Sequence, residues 1–125
     1  MTKRILVVED QEDNRRIIRD LLASTGYEMI EALDGETGVR LAETERPDLI
    51  LMDIQLPLLD GHEATRRIKD NPELRAIPVI VVTSYALSGD DVKAMEAGCD
   101  AYVAKPFSPR QLLSKIREFL PNTDG

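Results

Sequence analysis

A continuous apolar run of four residues, Leu49 to Met52, ends directly at the carboxylate of Asp53. A strand without polar alternation predicts burial on both faces, which is typical of a parallel sheet covered by helices. Pro57 follows and predicts a turn, so Asp53 lies where this strand ends. In open parallel sheets, binding and reactive groups lie at the carboxyl ends of the strands. Asp53 is therefore the candidate reactive residue.

Strands and helices alternate along the rest of the chain. Hydrophobic patterning and turn residues predict strands at 4–8, 27–32, 48–52, 79–82 and 101–104. A helix is predicted after each strand: at 14–25, from 35 to 45, from 61 until Asn71–Pro72 ends it, at 88–97, and finally up to Leu120. Five strands alternating with five helices predict parallel pairing through right-handed crossovers, in a doubly wound α/β sandwich.

The composition is that of one globular domain. With 125 residues, 42% of them hydrophobic and 31% charged, the chain suffices for one core but not two. We expect a single domain over 1–125 with its core at 4–120 and no output domain. A net charge of -7 argues against a nucleic-acid or acidic-membrane surface. Cys99 is the single cysteine and cannot form an internal disulfide, and no signal region or membrane span is evident, so the cytoplasm is the expected compartment.

Polar residues follow four of the five predicted strands: Glu9 and Asp10, then Asp53, Thr83 and Lys105. Since the carboxyl ends of parallel strands lie at one end of a sheet, we expect these groups to meet there. Crowded carboxylates raise one another's pKa unless a cation neutralises them, and Mg²⁺ is the cation expected on oxygen ligands. Such a site leaves coordination positions open for a phosphate oxygen, and an Asp carboxylate can itself accept a phosphoryl group.

These residues, in this order, carry a resemblance to a known family. The set comprises the acid pair Glu9–Asp10, the segment DIQLPLLDG at 53–61, Thr83–Ser84 after an apolar strand, and Tyr102 followed by Lys105–Pro106. Over 4–120 the chain resembles a response-regulator receiver domain of the CheY type, and within that family it is similar to stand-alone regulators. The resemblance implies a flavodoxin-like fold with strand order 2-1-3-4-5 and helices on both faces of the sheet.

The resemblance also implies roles for the site residues. Asp53 would accept a phosphoryl group from a phosphohistidine, and Thr83 and Lys105 would contact the phosphate. Four groups would bind Mg²⁺: the carboxylates of Glu9, Asp10 and Asp53 and the backbone carbonyl of Gln55. The chain would catalyse only its own phosphorylation and dephosphorylation, and would therefore be a signalling switch in a phosphorelay and not an enzyme with a separate substrate.

A conformational switch and its partners are implied in the same way. Thr83 would move toward the phosphoryl group and Tyr102 would turn inward behind it, reshaping the face of the fourth helix, fifth strand and fifth helix. A downstream protein target would dock on that face, and a sensor histidine kinase or histidine phosphotransfer protein would donate the phosphoryl group. The resemblance further implies a monomer or weak dimer, a cis Lys105–Pro106 peptide bond, and control of dephosphorylation by Gln55 and Tyr85.

Other interpretations of the residues stay open at this point. An aspartate-nucleophile phosphohydrolase of the haloacid-dehalogenase type also uses Mg²⁺, but it needs a second acid where this chain has Gln55. A nucleotide or flavin domain needs a glycine-rich loop after the first strand, which is absent here. An unphosphorylated docking module on the same fold is the remaining alternative. His62 is expected to face solvent, Asp60 to cap a helix, and Cys99 to be a small buried residue.

Overall fold

A parallel sheet of five strands forms the centre of the molecule. The structure is a computed structural model that describes residues 2–56, 59–83, 95, 97–105 and 107–120. The strands are β1 (Arg4–Val8), β2 (Glu28–Ala32), β3 (Leu49–Asp53), β4 (Val79–Thr83) and β5 (Ala101–Ala104). They lie in the order β2-β1-β3-β4-β5, and all neighbouring pairs are parallel. The expected flavodoxin-like sheet is confirmed.

Four helices are found within the described residues, whereas the sequence predicts five. They are α1 (Glu12–Ala23), α2 (Gly35–Glu45), α3 (Gly61–Asp70) and α4 (Pro109–Phe119). The C-terminal helix α4 corresponds to the fifth predicted helix. The predicted helix at 88–97 lies outside the described residues except for Met95 and Ala97. No helix in the described ranges has the length and apolar character needed to cross a membrane.

The apolar side chains of the strands alternate between the two faces of the sheet. On one face Leu6, Ile50 and Met52 pack with α2 and α3 through residues such as Ala42 and Ile68. The opposite face carries a second cluster that joins the strands to α1 and α4: Ile5, Val7, Leu49, Leu51, Ile18, Leu22, Leu112 and Ile116. All five residues of β3 and of β4 are buried, which explains their unbroken apolar runs.

Several element boundaries differ from the prediction by one or two residues. Helix α1 begins at Glu12 and not at 14, because Glu12 and Asp13 occupy its first turn, where acidic side chains favour the positive end of the helix dipole. Strand β3 extends through Asp53, whose backbone pairs with Val82 of β4. The chain leaves the helical region at Gly26, whose φ of 86° suits a residue without a Cβ atom.

Short-range side-chain hydrogen bonds define the starts of the later helices. The carboxylate of Asp34 accepts from the backbone N–H of Thr37 at the start of α2. Ser108 and Gln111 form a reciprocal capping box at the start of α4. The expected cap at Asp60 is also confirmed, since its carboxylate accepts from the N–H of Glu63 at the start of α3.

Candidate functional site

The site lies where the strand order reverses. The chain passes from β1 to β2 on one side of β1 and then crosses from β2 to β3 on its other side, so a crevice opens between the carboxyl ends of β1 and β3. Glu9 directly follows β1, and Asp53 is the last residue of β3. The parallel register of β1 and β3 therefore brings these two acids side by side.

Acidic side chains crowd this crevice. Glu9 and Asp53 are 3% and 5% exposed, and Asp10 is half-buried. Each of the three offers a carboxylate oxygen, and these oxygens lie within 4.8 Å of one another. Like charges this close and this poorly hydrated repel one another strongly. The arrangement is costly unless a cation lies among the carboxylates.

Lys105, which follows the edge strand β5, places a positive charge in the crevice. Its Nζ lies 3.2 Å from Oε1 of Glu9 and 3.3 Å from Oδ2 of Asp53, so one ammonium bridges two buried acids. The residue follows β5, and its backbone N–H donates to the carbonyl of Thr83 at 2.7 Å. This bond ties the ends of β4 and β5 together and directs Lys105 into the crevice.

The protonation equilibria reflect this crowding. Burial is the largest cause that raises the pKa of Glu9 above its usual value, and the negative charge of Asp53 adds to the rise. The backbone N–H of Gln11 and the charge of Lys105 act in the opposite direction. For Lys105, burial alone would lower the pKa, but the carboxylates of Asp53 and Glu9 outweigh it and raise the pKa.

Residues after β3 contact the end of that strand and the carboxylate of Asp53. The N–H of Gln55 donates to Oδ1 of Asp53 at 3.2 Å. The N–H of Gly61 donates to the carbonyl of Ile54 at 3.0 Å, which brings the first turn of α3 against the end of β3. A Cβ atom at Gly61 would lie 2.2 Å from the backbone oxygen of Asp53, so this approach requires glycine.

Thr83 and Tyr102 occupy different environments near the site. Thr83 is the last residue of β4, is buried, and pairs with Ala104 of β5. Tyr102 lies on β5 and is 39% exposed. It borders a cavity of about 590 Å³ between β5 and α4, whose other lining residues include Arg110 and Lys115.

Comparison with known proteins decides the family. Residues 5–117 match the response regulator receiver domain family. The chain belongs to the response regulator receiver family. The polar-differentiation response regulator DivK of Brucella ovis is 46% identical over 120 residues, which cover 96% of this chain and 98% of that relative. The expected similarity to stand-alone regulators is confirmed by this match.

Solved receiver structures superpose over nearly the whole chain. The receiver domain of sensor histidine kinase PA1611 from Pseudomonas aeruginosa PAO1, which has a magnesium ion coordinated in its active-site cleft, has a TM-score of 0.90 and 39% identity. The match covers 98% of this chain and 100% of that one. The phosphorylated cyanobacterial phytochrome response regulator RcpA has a TM-score of 0.83 and 30% identity over 97% of this chain and 96% of its own.

Membership of the receiver family settles the class of function. The chain is a phosphoryl-accepting signalling module of two-component systems and not a haloacid-dehalogenase-type phosphohydrolase. Receiver domains interact with histidine kinases or phosphotransfer proteins and with downstream targets. The same family match also excludes the alternative of a nucleotide- or flavin-binding domain.

Some predictions about this receiver domain lie outside the described residues. These are the ones that involve Pro57, Ser84, Tyr85 and Pro106, including the cis Lys105–Pro106 bond. The prediction that His62 faces solvent is wrong, because both of its ring nitrogens are shielded from solvent.

Sequence reasoning missed Arg15, which is only 9% exposed beside the site. Its Nη1 donates to the backbone carbonyl of Glu9 at 2.9 Å. The signal was present in the sequence: Arg15, Ile18 and Leu22 recur at the spacing of one helix face, and all three are buried in α1. An arginine on the buried face of an amphipathic helix indicates a buried hydrogen-bond acceptor or acidic partner.

Proposed function

We propose that Asp53 of this receiver domain accepts a phosphoryl group from a phosphohistidine of a sensor histidine kinase or histidine phosphotransfer protein. The observation that carries the proposal is the meeting of carboxylates and one ammonium at the ends of β1, β3 and β5. Asp53 is suited to the acceptor role because Lys105 and the N–H of Gln55 hold its two oxygens in one orientation. A phosphorylated relative, RcpA, is consistent with it.

The proposal includes Mg²⁺ held by Glu9, Asp10 and Asp53 together with the backbone carbonyl of Gln55. The donor set fits this ion, because it consists of oxygen atoms and provides carboxylates within 4.8 Å of one another. The raised pKa of Glu9 also fits, since burial and, to a smaller extent, the charge of Asp53 disfavour its ionised form, which a bound cation would favour. The magnesium-bound receiver domain of PA1611 supports the same assignment.

In the proposed transfer, an oxygen of Asp53 forms a bond to phosphorus while the phosphorus–nitrogen bond of the phosphohistidine breaks. The electron pair of that bond stays on the imidazole nitrogen. Lys105 carries a positive charge throughout and binds one phosphoryl oxygen, and the hydroxyl of Thr83 donates to another. Bound Mg²⁺ supplies further charge neutralisation at the phosphoryl oxygens.

The response to phosphorylation is proposed to run through Thr83 and Tyr102. Thr83 moves toward the phosphoryl group, and Tyr102 turns from its exposed position toward the space behind Thr83. The surface between β5 and α4, which Tyr102 borders, then changes shape for a downstream protein target. In this scheme the chain catalyses only its own phosphorylation and dephosphorylation.

A cytoplasmic location belongs to the same proposal. Cys99 is the single cysteine of the sequence and is buried, so no internal disulfide forms and the protein is compatible with a reducing compartment.

Intact-protein mass spectrometry tests the acceptor directly. The protein is incubated with Mg²⁺ and acetyl phosphate, and wild type is compared with Asp53→Asn and with Asp48→Asn. Asp48 is the matched control because it is the aspartate at the opposite end of the same strand. We expect a gain of about 80 Da, one phosphoryl group, in wild type and Asp48→Asn but not in Asp53→Asn.

The gain in mass of the wild-type protein should also disappear when a chelator removes Mg²⁺. A wild-type protein that gains no mass, or an Asp53→Asn variant that gains as much as wild type, contradicts the proposal.

A further inference from the structure

Arg15 connects the acidic cluster to the first helix. Its guanidinium is almost wholly shielded from solvent, although α1 is otherwise solvent-exposed on its outer face. A buried arginine keeps its charge, so its donors must all find acceptors. One of the acceptors that it finds is the backbone carbonyl of Glu9, at the acidic site.

Three groups hold the guanidinium in place. Nη1 donates to the backbone carbonyl of Glu9 at 2.9 Å, and Nε donates to Oε1 of Glu31 at 3.2 Å. Nη2 donates to Oε2 of Glu12 at 2.5 Å. The planar fork of the side chain is thereby fixed in three directions. Its orientation does not depend on the Glu9 carbonyl alone.

The carbonyl of Glu9 belongs to the peptide group that joins Glu9 to Asp10. The direction of this peptide sets where the two acidic side chains point relative to each other. The N–H of Glu9 is fixed from the other side, because it donates to the carbonyl of Ala32 at 3.0 Å. The Glu9 backbone is therefore held between the end of β2 and the start of α1.

We propose that Arg15 is a positioning residue for the acid pair. By holding the peptide between Glu9 and Asp10, it orients two of the three carboxylates for the cation without touching the cation itself. The inference rests on the proposed Mg²⁺ site. Outer residues that orient metal ligands commonly change metal affinity by about 10- to 100-fold when they are replaced.

Electrostatics alone predicts the opposite effect. Arg15 is a positive charge near a cation site, so removing the charge should strengthen Mg²⁺ binding. If Arg15 orients the ligands, removing it should weaken binding. The sign of the change therefore separates the two roles.

Arg19 provides a matched control. It also pairs with Glu31, at 2.6 Å, and with Glu12, at 3.5 Å, but it makes no contact with the Glu9 carbonyl. Arg15→Met and Arg19→Met remove the same charge from the same network. Only the first removes the hydrogen bond to the acid pair.

The experiment measures the Mg²⁺ dissociation constant by calorimetry for wild type, Arg15→Met, Arg15→Lys and Arg19→Met. We expect binding about tenfold weaker in Arg15→Met and unchanged or slightly tighter in Arg19→Met. Arg15→Lys keeps the charge but cannot reproduce the fork, so it should lose affinity in the same direction as Arg15→Met and to a smaller extent. Unchanged or tighter binding in Arg15→Met overturns the proposal.

Amide hydrogen exchange in the metal-free proteins gives a second readout. The N–H groups of Glu9 and Gln11 should exchange faster in Arg15→Met than in Arg19→Met, while the strands keep their wild-type protection. Equal rates at Glu9 and Gln11 in the two variants overturn the proposal. If wild type binds no Mg²⁺, the proposed function fails, and these exchange rates alone decide whether Arg15 positions the acid pair.

Discussion

Aspartates lie at both ends of the central sheet, and the two ends give them different partners. At the carboxyl end, Asp53 shares its crevice with Glu9 and Asp10, and the ammonium of Lys105 contacts two of these acids. At the amino end, Asp48 and Asp100 each precede a strand and pair with a neighbouring strand. The same residue type thus serves two purposes.

The amino-end aspartates complete the hydrogen bonding of the sheet. Oδ2 of Asp48 accepts from the N–H of Arg4, and its own N–H donates to the carbonyl of Arg4. Asp100 forms the same pair of bonds with Val79 and also lies 2.7 Å from Nζ of Lys69. Each carboxylate here meets donors, and no second acid crowds it within these contacts.

The difference separates the acids that stabilise the fold from the acids that are crowded together at the proposed Mg²⁺ site. Donors surround the amino-end carboxylates, so their removal leaves buried N–H groups without an acceptor. Like charges surround the carboxyl-end carboxylates, so the removal of one relieves repulsion. Stability should therefore fall on mutation at the amino end and rise on mutation at the carboxyl end, and Mg²⁺ binding should respond only at the carboxyl end.

The largest effect is expected for Asp100→Ala. The substitution removes the acceptor of the Val79 N–H, which lies at the start of a fully buried strand, and one partner of Lys69. The free energy of unfolding should fall by about 3 kcal/mol. Urea denaturation of the metal-free protein measures this, and calorimetry should give the wild-type Mg²⁺ affinity. A stability loss below about 0.5 kcal/mol would contradict the structural role of Asp100.

The second largest effect at the amino end is expected for the reactivity of the Cys99 thiol. Burial raises its pKa from 9.0 to about 11, and the adjacent Asp100 carboxylate adds to the rise. At pH 8 the folded protein therefore contains about 100-fold less thiolate than an unshifted cysteine would. The free energy of ionising the thiol is about 2.7 kcal/mol higher. Alkylation by iodoacetamide should therefore be at least about 100-fold slower in the folded protein than in urea.

The pH dependence of this alkylation has a definite sign. The folded-state pKa is raised, so the stability contributed by the neutral thiol is complete below pH 9.0 and is lost as pH rises toward 11. The alkylation rate should rise about tenfold for each pH unit up to that pKa. Equal alkylation rates in the folded and the urea-denatured protein at pH 8 would show that the Cys99 thiol is not buried and that its pKa is not raised.

The contrast between the two ends also separates what the sequence could predict from what it could not. Glu9, Asp53 and Lys105 were predictable because each follows an apolar strand, and parallel strands end at the same side of a sheet. The structure brings these residues together as expected. The prediction that they meet needed only the strand ends, while the register of β1 and β3 sets how closely Glu9 approaches Asp53.

The partners of Asp100 and Arg15 were not predictable in this way. Asp100 meets Val79, 21 residues away, only because β4 and β5 pair in one particular register. Arg15 donates to the Glu9 carbonyl, a contact that depends on how α1 is placed beside the end of β1. Strand register and helix placement decide these contacts, and hydrophobic patterns do not resolve them.

Glu9→Gln should weaken Mg²⁺ binding by at least about tenfold, or about 1.4 kcal/mol, because it removes a charged oxygen ligand and keeps the side-chain shape. Asp48→Asn is the control at the amino end and should bind Mg²⁺ as wild type does. Calorimetry at matched pH and ionic strength makes the comparison. Equal losses in both variants would show that net charge, and not the site, determines Mg²⁺ affinity.

Asp53→Asn should cause the smallest change in the free energy of unfolding, and it should raise this free energy, whereas the amino-end variants lower it. In the metal-free protein it removes one of two buried acids, and Lys105 keeps Glu9 as a partner. We expect the free energy of unfolding to rise by about 1 kcal/mol at a pH where Glu9 is ionised. Asp48→Asn should instead lower it, because an amide oxygen accepts the Arg4 N–H less strongly than a carboxylate does.

The gain in Asp53→Asn should depend on pH through Glu9. The pKa of Glu9 is raised in the folded protein, so the stability that its protonation contributes is complete below the ordinary value of 4.5 and is lost as pH rises through the folded pKa. Repulsion between Glu9 and Asp53 exists only above that pKa. The stability gain of Asp53→Asn should therefore shrink as pH falls through the folded pKa of Glu9, and urea denaturation over a series of pH values measures it. A gain that does not change with pH would place its origin outside the pair of buried acids.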